Sequence, residues 1–190
     1  MPRFATEQPA YSILARAVEN DVLPTCRRHG LGVLSYSPLT GGWLSGRWRQ
    51  DAGQQESSRM SRLPERFDLS EPGNRRKLAA VEALGQLADD TAITLIEPAV
   101  AFVLHHPAIT AATIGPRIIE HFHGQLAGAD VALSADILDR IDKIVAPGVT
   151  VNPVEHSYVN PALEPAARRR QRGRVGAARL TSARRVLLLP

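Results

Sequence analysis

The sequence predicts a parallel α/β fold of about three strands covered by helices, and three observations carry this reading. Short β-prone apolar runs alternate along the chain with stretches of helical periodicity. The runs are too brief for helices and suit strands buried in a parallel sheet. Glycine or proline flanks them, so each is bounded by a turn.

Taken in order, Phe4 to Gln8 is extended and stopped by Pro9, and Asn20-Asp21 opens a helix that ends at His29-Gly30. Leu31 to Tyr36 is the first clear strand, followed by a long irregular segment from Thr40 to Gly73 of the kind found in lids and binding loops. Leu78, Val81, Leu84 and Leu87 recur at three-residue steps and predict an amphipathic helix over Asn74 to Asp90. Thr94-Leu95-Ile96-Glu97 fits a capping box and starts the next helix, with Pro98 expected to disturb its first turn. Ile109 to Ile114, closed by Gly115-Pro116, is the second strand-like run, and a helix follows from about Ile118 to Gly128. Ser134 caps a last helix whose Ile137, Leu138, Ile141, Ile144 and Val145 share a face, ended by Pro147-Gly148. Three strands are few for a parallel sheet, because each end strand presents unpaired amides and carbonyls. The chain reads as part of something larger, with self-association through those edges one way to cover them.

Length and composition bound the rest. A chain of 190 residues, 44% hydrophobic and 22% charged, with 14 glycines and 14 prolines, is a single folding unit and not collagen-like, low-complexity or wholly disordered. No apolar run approaches the ~18 residues of a membrane span, and Met1-Pro2-Arg3 leads into no secretory segment, so a cytoplasmic protein is expected. The lone Cys26 offers neither a disulfide nor a thiolate cluster. The net charge of +4 belongs to the end of the chain: residues 1–164 hold 15 basic and 19 acidic side chains, whereas 165–190 hold eight arginines and no acid. The first part is mildly acidic with no evident basic face. Residues 164–190 are expected to be an unfolded arginine-rich tail, able at most to bind nucleic acid through 168–185.

At GLGVLSYSPLTGGWLSG, residues 30–46, and TIGPR, residues 113–117, the chain resembles the aldo-keto reductase superfamily. QPAYSILAR (8–16), LPTCRRHG (23–30) and DVALSADILDRIDKIVAPG (130–148) support the likeness, which runs from about Phe4 to Leu163. The resemblance implies the C-terminal part of a (β/α)8 TIM barrel, an incomplete barrel within a domain of residues 1–163. It also implies NADP(H) as cofactor and, in full-length relatives, reduction of a small-molecule aldehyde or ketone.

Each matched residue has a chemical reading. Gln8, at the end of the first strand, matches the glutamine that bonds the nicotinamide carboxamide; by itself it reads as a solvated loop residue. Tyr36 ends the second strand, and the resemblance makes it the plate on which the nicotinamide stacks. A core tyrosine is the other reading, and the strand-end position favours function. Ser37, Leu39, Thr40, Gly41, Gly42 and Gly46 form a turn whose glycines let amides approach a pyrophosphate. The long segment behind it would fold over as a clasp, with Arg47, Arg49 and Arg59 read as solvated. Gly115 and Arg117 match the site of the adenosine 2′-phosphate, where a guanidinium gives two parallel hydrogen bonds. On the following helix the family has a glutamine and an asparagine toward adenine; here His121 and Gln125 stand there. His105-His106 and His121-x-His123 lack acidic or sulfur partners at metal-binding spacing, so no metal is expected.

The resemblance places the proton-donating tyrosine and its lysine, aspartate and histidine on earlier strands, upstream of these residues. Tyr11, Tyr36 and Tyr158 are not matched to that acid, and the two lysines, Lys77 and Lys143, fall on helices read as surface helices. No catalytic residue is assigned, and the chain alone is expected to be inactive. The alternatives to a cofactor-binding reductase portion are a non-catalytic part-barrel that binds another chain, a basic-tail nucleic-acid binder, and a truncated reading frame.

Overall fold

A computed structural model of the chain describes residues 3–49 and 59–155. Three strands, β1 (Thr6–Glu7), β2 (Gly32–Tyr36) and β3 (Ala111–Thr113), form one parallel sheet in the order β1-β2-β3. Thr6 aligns with Gly32, and Leu34 and Tyr36 align with Ala111 and Thr113. Each strand is shorter than its β-prone run. Pairing nevertheless continues past β1, where Tyr36 donates its N–H to the Pro9 carbonyl at 3.0 Å and accepts from Tyr11 N–H at 3.2 Å. Along β2, Val33 and Ser35 are fully buried toward the helices, while Leu34 and Tyr36 lie exposed on the opposite face. Parallel sheets are ordinarily covered on both faces; among the described residues only one face of this sheet is covered.

The helices form where the periodicity placed them. Helix α1 (Val22–His29) ends at Gly30, whose φ of +64° turns the chain so that Leu31 N–H meets the Cys26 carbonyl at 2.9 Å. Helix α2 (Pro72–Asp90) starts two residues earlier than its apolar pattern, because Pro72 fits a first turn whose amides are unbonded anyway. The same reasoning corrects the expectation at Pro98. Helix α3 (Ile96–His105) begins only two residues before it, so the missing amide is one that no helix carbonyl would have met. The capping box is half formed: Glu97 Oε2 accepts both the N–H and the hydroxyl of Thr94 at 2.7 Å, and the hydroxyl donates to the glutamate rather than accepting from an amide. Helices α4 (Ile119–Ala127) and α5 (Ala135–Ile144) complete the set, α5 capped by Ser134 Oγ, which accepts Ile137 N–H at 3.3 Å. Helix α2 packs against α5, and α3 against α4.

Two buried polar networks were not foreseen. In the first, Glu19 accepts from Tyr11 Oη at 2.7 Å, Arg16 Nε at 2.8 Å and Gly148 N at 2.8 Å, while Arg16 Nη1 donates to Asp142 Oδ1 and the Val145 carbonyl at 2.7 Å each. This stitches the start of the chain to α5. The second overturns the reading of Lys77 as a surface lysine. Lys77 is fully buried, ion-paired to Glu155, bonded through Nζ to the Arg66 carbonyl at 2.9 Å, and set 4.2 Å above the Trp43 ring. It lies four residues before Val81 and seven before Leu84, both buried, so it shares their helix face, and the charge alone misplaced it. Trp43 in turn stacks on Trp48 at 4.2 Å and Phe67 at 5.8 Å.

Within the long segment, the described residues form turns at Thr40–Gly42 and Pro64–Arg66. The expected tail at 164–190, its boundary at 163, and Tyr158 lie outside the described residues. Among the described residues no helix is long and apolar enough to cross a membrane.

Candidate functional site

Because the strands run parallel and Tyr36 pairs with Thr113, β2 and β3 leave the sheet side by side at the same end. The turns that follow them therefore share one space. A cleft of about 680 Å³ opens there. Tyr36, Ser37, Leu39, Gly41 and Gly42 form the wall from β2, while Gly115, Arg117, His121 and Gln125 form the wall from β3 and α4. Most of the residues proposed from sequence meet in this cleft. Gln8, Thr40 and Gly46 are not part of its wall: Gln8 stands exposed just past β1, and Thr40 is buried within the β2 turn.

The β2 turn is built tightly. Ser37, Thr40, Gly41 and Gly42 take φ values of +63°, +48°, +69° and +107°, a left-handed run that two glycines accommodate and two hydroxyl residues tolerate at roughly 1–3 kcal/mol each. Ser12 and Thr40 join their hydroxyls at 2.7 Å, pinning the turn to the segment after β1. Thr40 and Gly42 donate their N–H groups inside the turn, to the Ser37 and Leu39 carbonyls at 2.9 Å each. The step from Leu39, at φ −95°, to the left-handed Thr40 is the alternation of hand that turns backbone amides toward an anion. The second wall carries Arg117 at the approach to the N-terminus of α4, whose unbonded amides add to the same preference.

The charge of the cleft was hidden in the sequence balance. Arg47, Arg59, Arg66 and Arg117 all line it, and no aspartate or glutamate does among the described lining residues. The sequence showed no evident basic face, and these four arginines supply a cationic wall; Arg47 and Arg59 are exposed, as expected, on the side that borders the cleft. Arg49 instead pairs with Asp89 at 2.6 Å. Arg47 Nη2 sits 2.8 Å from His121 Nε2, linking the two walls, and Gln125 is buried with Nε2 donating to the His121 carbonyl at 3.1 Å. Arg66 Nε is buried and meets no hydrogen-bond acceptor among the described residues. Trp48 and Ile96 add apolar lining that the sequence reading did not find. The signal for the arginines was an excess of arginine over acid between residues 40 and 66.

The other titratable groups lie away from this chemistry. Burial and the adjacent Glu19 carboxylate push the Tyr11 phenol far above its usual range, so it stays protonated. Burial pulls Lys77 below the usual lysine range, against the opposing pull of Glu155. Burial also lowers His106, whose Nδ1 accepts Ala108 N–H at 3.1 Å. Among the described residues no group of three histidine, cysteine, aspartate or glutamate side chains is placed to hold a metal ion.

The family model described as the aldo/keto reductase family matches residues 1–146. The chain belongs to that family. It is 34% identical over 142 residues to an uncharacterized oxidoreductase, YrpG, of Bacillus subtilis, covering 74% of this chain and 40% of that protein. It is 29% identical over 136 residues to an aldo-keto reductase of Pseudocercospora fijiensis, covering 65% and 44%. Among solved structures, the glycerol dehydrogenase of Gluconobacter oxydans superposes with a TM-score of 0.62 at 27% identity, covering 83% of this chain and 45% of that one. The chain thus spans less than half the length of the relatives it matches. Its open three-stranded sheet with outer helices is part of the family's (β/α)8 barrel.

Proposed function

We propose that this part of the barrel binds NADP(H) in the cleft between the β2 and β3 exits and serves reduction of an aldehyde or ketone. One observation carries the reading: a single cleft holds an exposed aromatic ring, Tyr36, a left-handed glycine turn, and four arginines, with no carboxylate among the described lining residues. A dinucleotide with a 2′-phosphate needs an apolar plate at one end and positive charge along the rest. The fit is supported by Arg66 Nε, a buried donor that lacks an acceptor among the described residues.

In this reading Tyr36 receives one face of the nicotinamide ring, which leaves the other face to the carbonyl substrate. When bound, the cofactor supplies the hydride. Pro38 has no N–H, and Thr40 and Gly42 spend theirs on the Ser37 and Leu39 carbonyls at 2.9 Å each. The amides of Ser37, Leu39 and Gly41 are therefore the ones that take the pyrophosphate, while Arg117 takes the 2′-phosphate and sets the preference for NADP(H) over NAD(H). His121 and Gln125 border the adenine side, and Gln8 serves the carboxamide from the β1 exit. The proton for the developing alkoxide comes from outside these residues, since Tyr11 is locked to Glu19 and Lys77 is enclosed by aromatic rings and Glu155.

Titration of the purified chain with NADPH and NADH, followed by nicotinamide fluorescence and calorimetry, tests this. The expected result is tighter binding of NADPH, with Arg117→Met lowering NADPH affinity roughly tenfold or more and leaving NADH little changed. No binding of either dinucleotide at millimolar concentration would remove the reading. Turnover of a generic aldehyde by the chain alone would remove the assignment of the proton donor.

A further inference from the structure

The turn at residues 64–68 sits beside the cleft, and it is held with unusual thoroughness. Asn74, fully buried on α2, donates from Nδ2 to the carbonyls of Glu65 at 2.9 Å and Asp68 at 2.8 Å. Lys77, one turn further along α2, donates to the carbonyl of Arg66 at 2.9 Å. Asn152 donates to Asn74 Oδ1 at 2.7 Å, and Glu155 pairs with Lys77, so a segment near residue 150 closes the back of the network. Three successive clamps thus bear on the carbonyls of a five-residue turn. Burying a lysine against Trp43 and Phe67 is an expensive way to fix a loop, because an apolar side chain of similar size would avoid the loss of hydration.

The turn carries Arg66. Arg66 is half-buried and among the residues lining the cleft, and its Nε is buried with no acceptor among the described residues. Clamping the carbonyl of Arg66 fixes the direction in which the side chain leaves the backbone. The turn also stands over the glycine turn: a Cβ at Gly41 would lie 3.9 Å from Phe67 Cζ and 3.7 Å from Arg59 Nη1. The turn that carries Arg66 therefore packs close to the glycine turn at the cleft wall.

We propose that Arg66 is an anion-binding residue of the cleft, directed at the pyrophosphate of a dinucleotide, and that Lys77 is its positioning residue. The proposal deepens the cofactor reading and rests on it for the identity of the anion. Arg66 meets the phosphates shared by NADPH and NADH, whereas Arg117 meets the one that distinguishes them. Lys77 touches no ligand; it acts by holding the Arg66 carbonyl while Glu155 balances its charge.

The test measures dissociation constants of inorganic pyrophosphate, NADPH and NADH for the whole chain by calorimetry, with thermal melts confirming that each variant is folded. Arg66→Met is expected to weaken all three ligands by a similar factor, roughly tenfold or more, and Arg28→Met, an exposed arginine outside the cleft, to change none. Lys77→Met combined with Glu155→Gln, which strands no charge, is expected to weaken pyrophosphate binding in a folded protein. Adding Arg66→Met to that pair is expected to cause no further loss, because both changes remove the same contact. If Arg66→Met binds pyrophosphate as tightly as the wild type, the proposal falls, and a concurrent loss of NADPH preference in Arg117→Met would show that the cofactor reading stands without it. If the wild type binds pyrophosphate but neither dinucleotide, the cofactor reading falls while the pyrophosphate constants still judge Arg66. If the loss from the Lys77 pair and the loss from Arg66→Met simply add, the positioning role falls.

Discussion

Replacing Lys77 by methionine removes one half of a buried pair whose other half, Glu155, has a side chain only 4% exposed. A carboxylate left without its partner in such surroundings costs about 3–5 kcal/mol, while exchanging the whole pair for neutral groups of similar size is often neutral. Lys77→Met alone should therefore lower stability by about 3 kcal/mol, and the double variant with Glu155→Gln by about 1 kcal/mol or less. At about 2–4 °C per kcal/mol for a domain of this size, the single variant melts about 6–12 °C lower and the double variant recovers most of that. The pH dependence has a definite sign. Burial holds the folded lysine below its ordinary value of 10.5, so between the depressed value and 10.5 the unfolded chain binds the proton that the folded chain has shed. Stability of the wild type should rise with pH across that window relative to the double variant, and the full cost of burying the charge is present below it. Urea midpoints from pH 7 to 11 read both effects. Equal melting points for the single and double variants, or a difference from the double variant that falls with pH, would refute the buried-pair reasoning.

Three further outcomes follow from the same contacts. Tyr36→Ala should weaken NADPH by about 1–3 kcal/mol, the worth of one aromatic stack, yet leave inorganic pyrophosphate unaffected in calorimetry. Glu19→Ala removes the acceptor of Tyr11, Arg16 and Gly148 together and should cost about 3 kcal/mol in urea unfolding, with Glu19→Gln recovering part of it. Gly128→Ala would place a Cβ 2.8 Å from Val100 Cβ and 3.0 Å from the Glu97 carbonyl oxygen, forcing α4 away from α3 at a cost of about 1–3 kcal/mol by denaturant midpoint.

The elements were legible because their determinants are local. Gly30 in its left-handed conformation, Ser134 accepting the Ile137 amide, and the shared face of Ile137, Leu138 and Ile141 each follow from a few adjacent residues. The meeting of Tyr36 with Arg117 was legible for a different reason: two parallel strands that are neighbours must release their chains at the same end of the sheet. What escaped were interactions between residues far apart in sequence. Lys77 with Glu155, Arg16 with Asp142, and Arg66 with its cleft depend on where the turns travel, and charge taken residue by residue assigns all of them to the surface. The positive φ values of Ser37 and Thr40 escaped for a related cause, since neither residue type calls for that conformation and only the closed turn imposes it.

The distribution of carboxylates explains how a mildly acidic stretch of chain makes a cationic cleft. Asp89 and Asp90 at the end of α2 hold Arg49 at 2.6 Å and Arg140 at 2.5 Å, and Asp142 and Glu19 hold Arg16. These acids sit on the helices and their ends, where they compensate arginines that never reach the strand exits. Arg47, Arg59, Arg66 and Arg117 line the cleft together with Trp48, Leu39 and Ile96, with no carboxylate among the described lining residues. Low-dielectric walls concentrate the field of such a group, so its attraction for a multiply charged ligand depends on local placement and hardly at all on net charge. Ligand binding at the cleft should therefore weaken with added salt even though residues 1–164 carry a net negative balance.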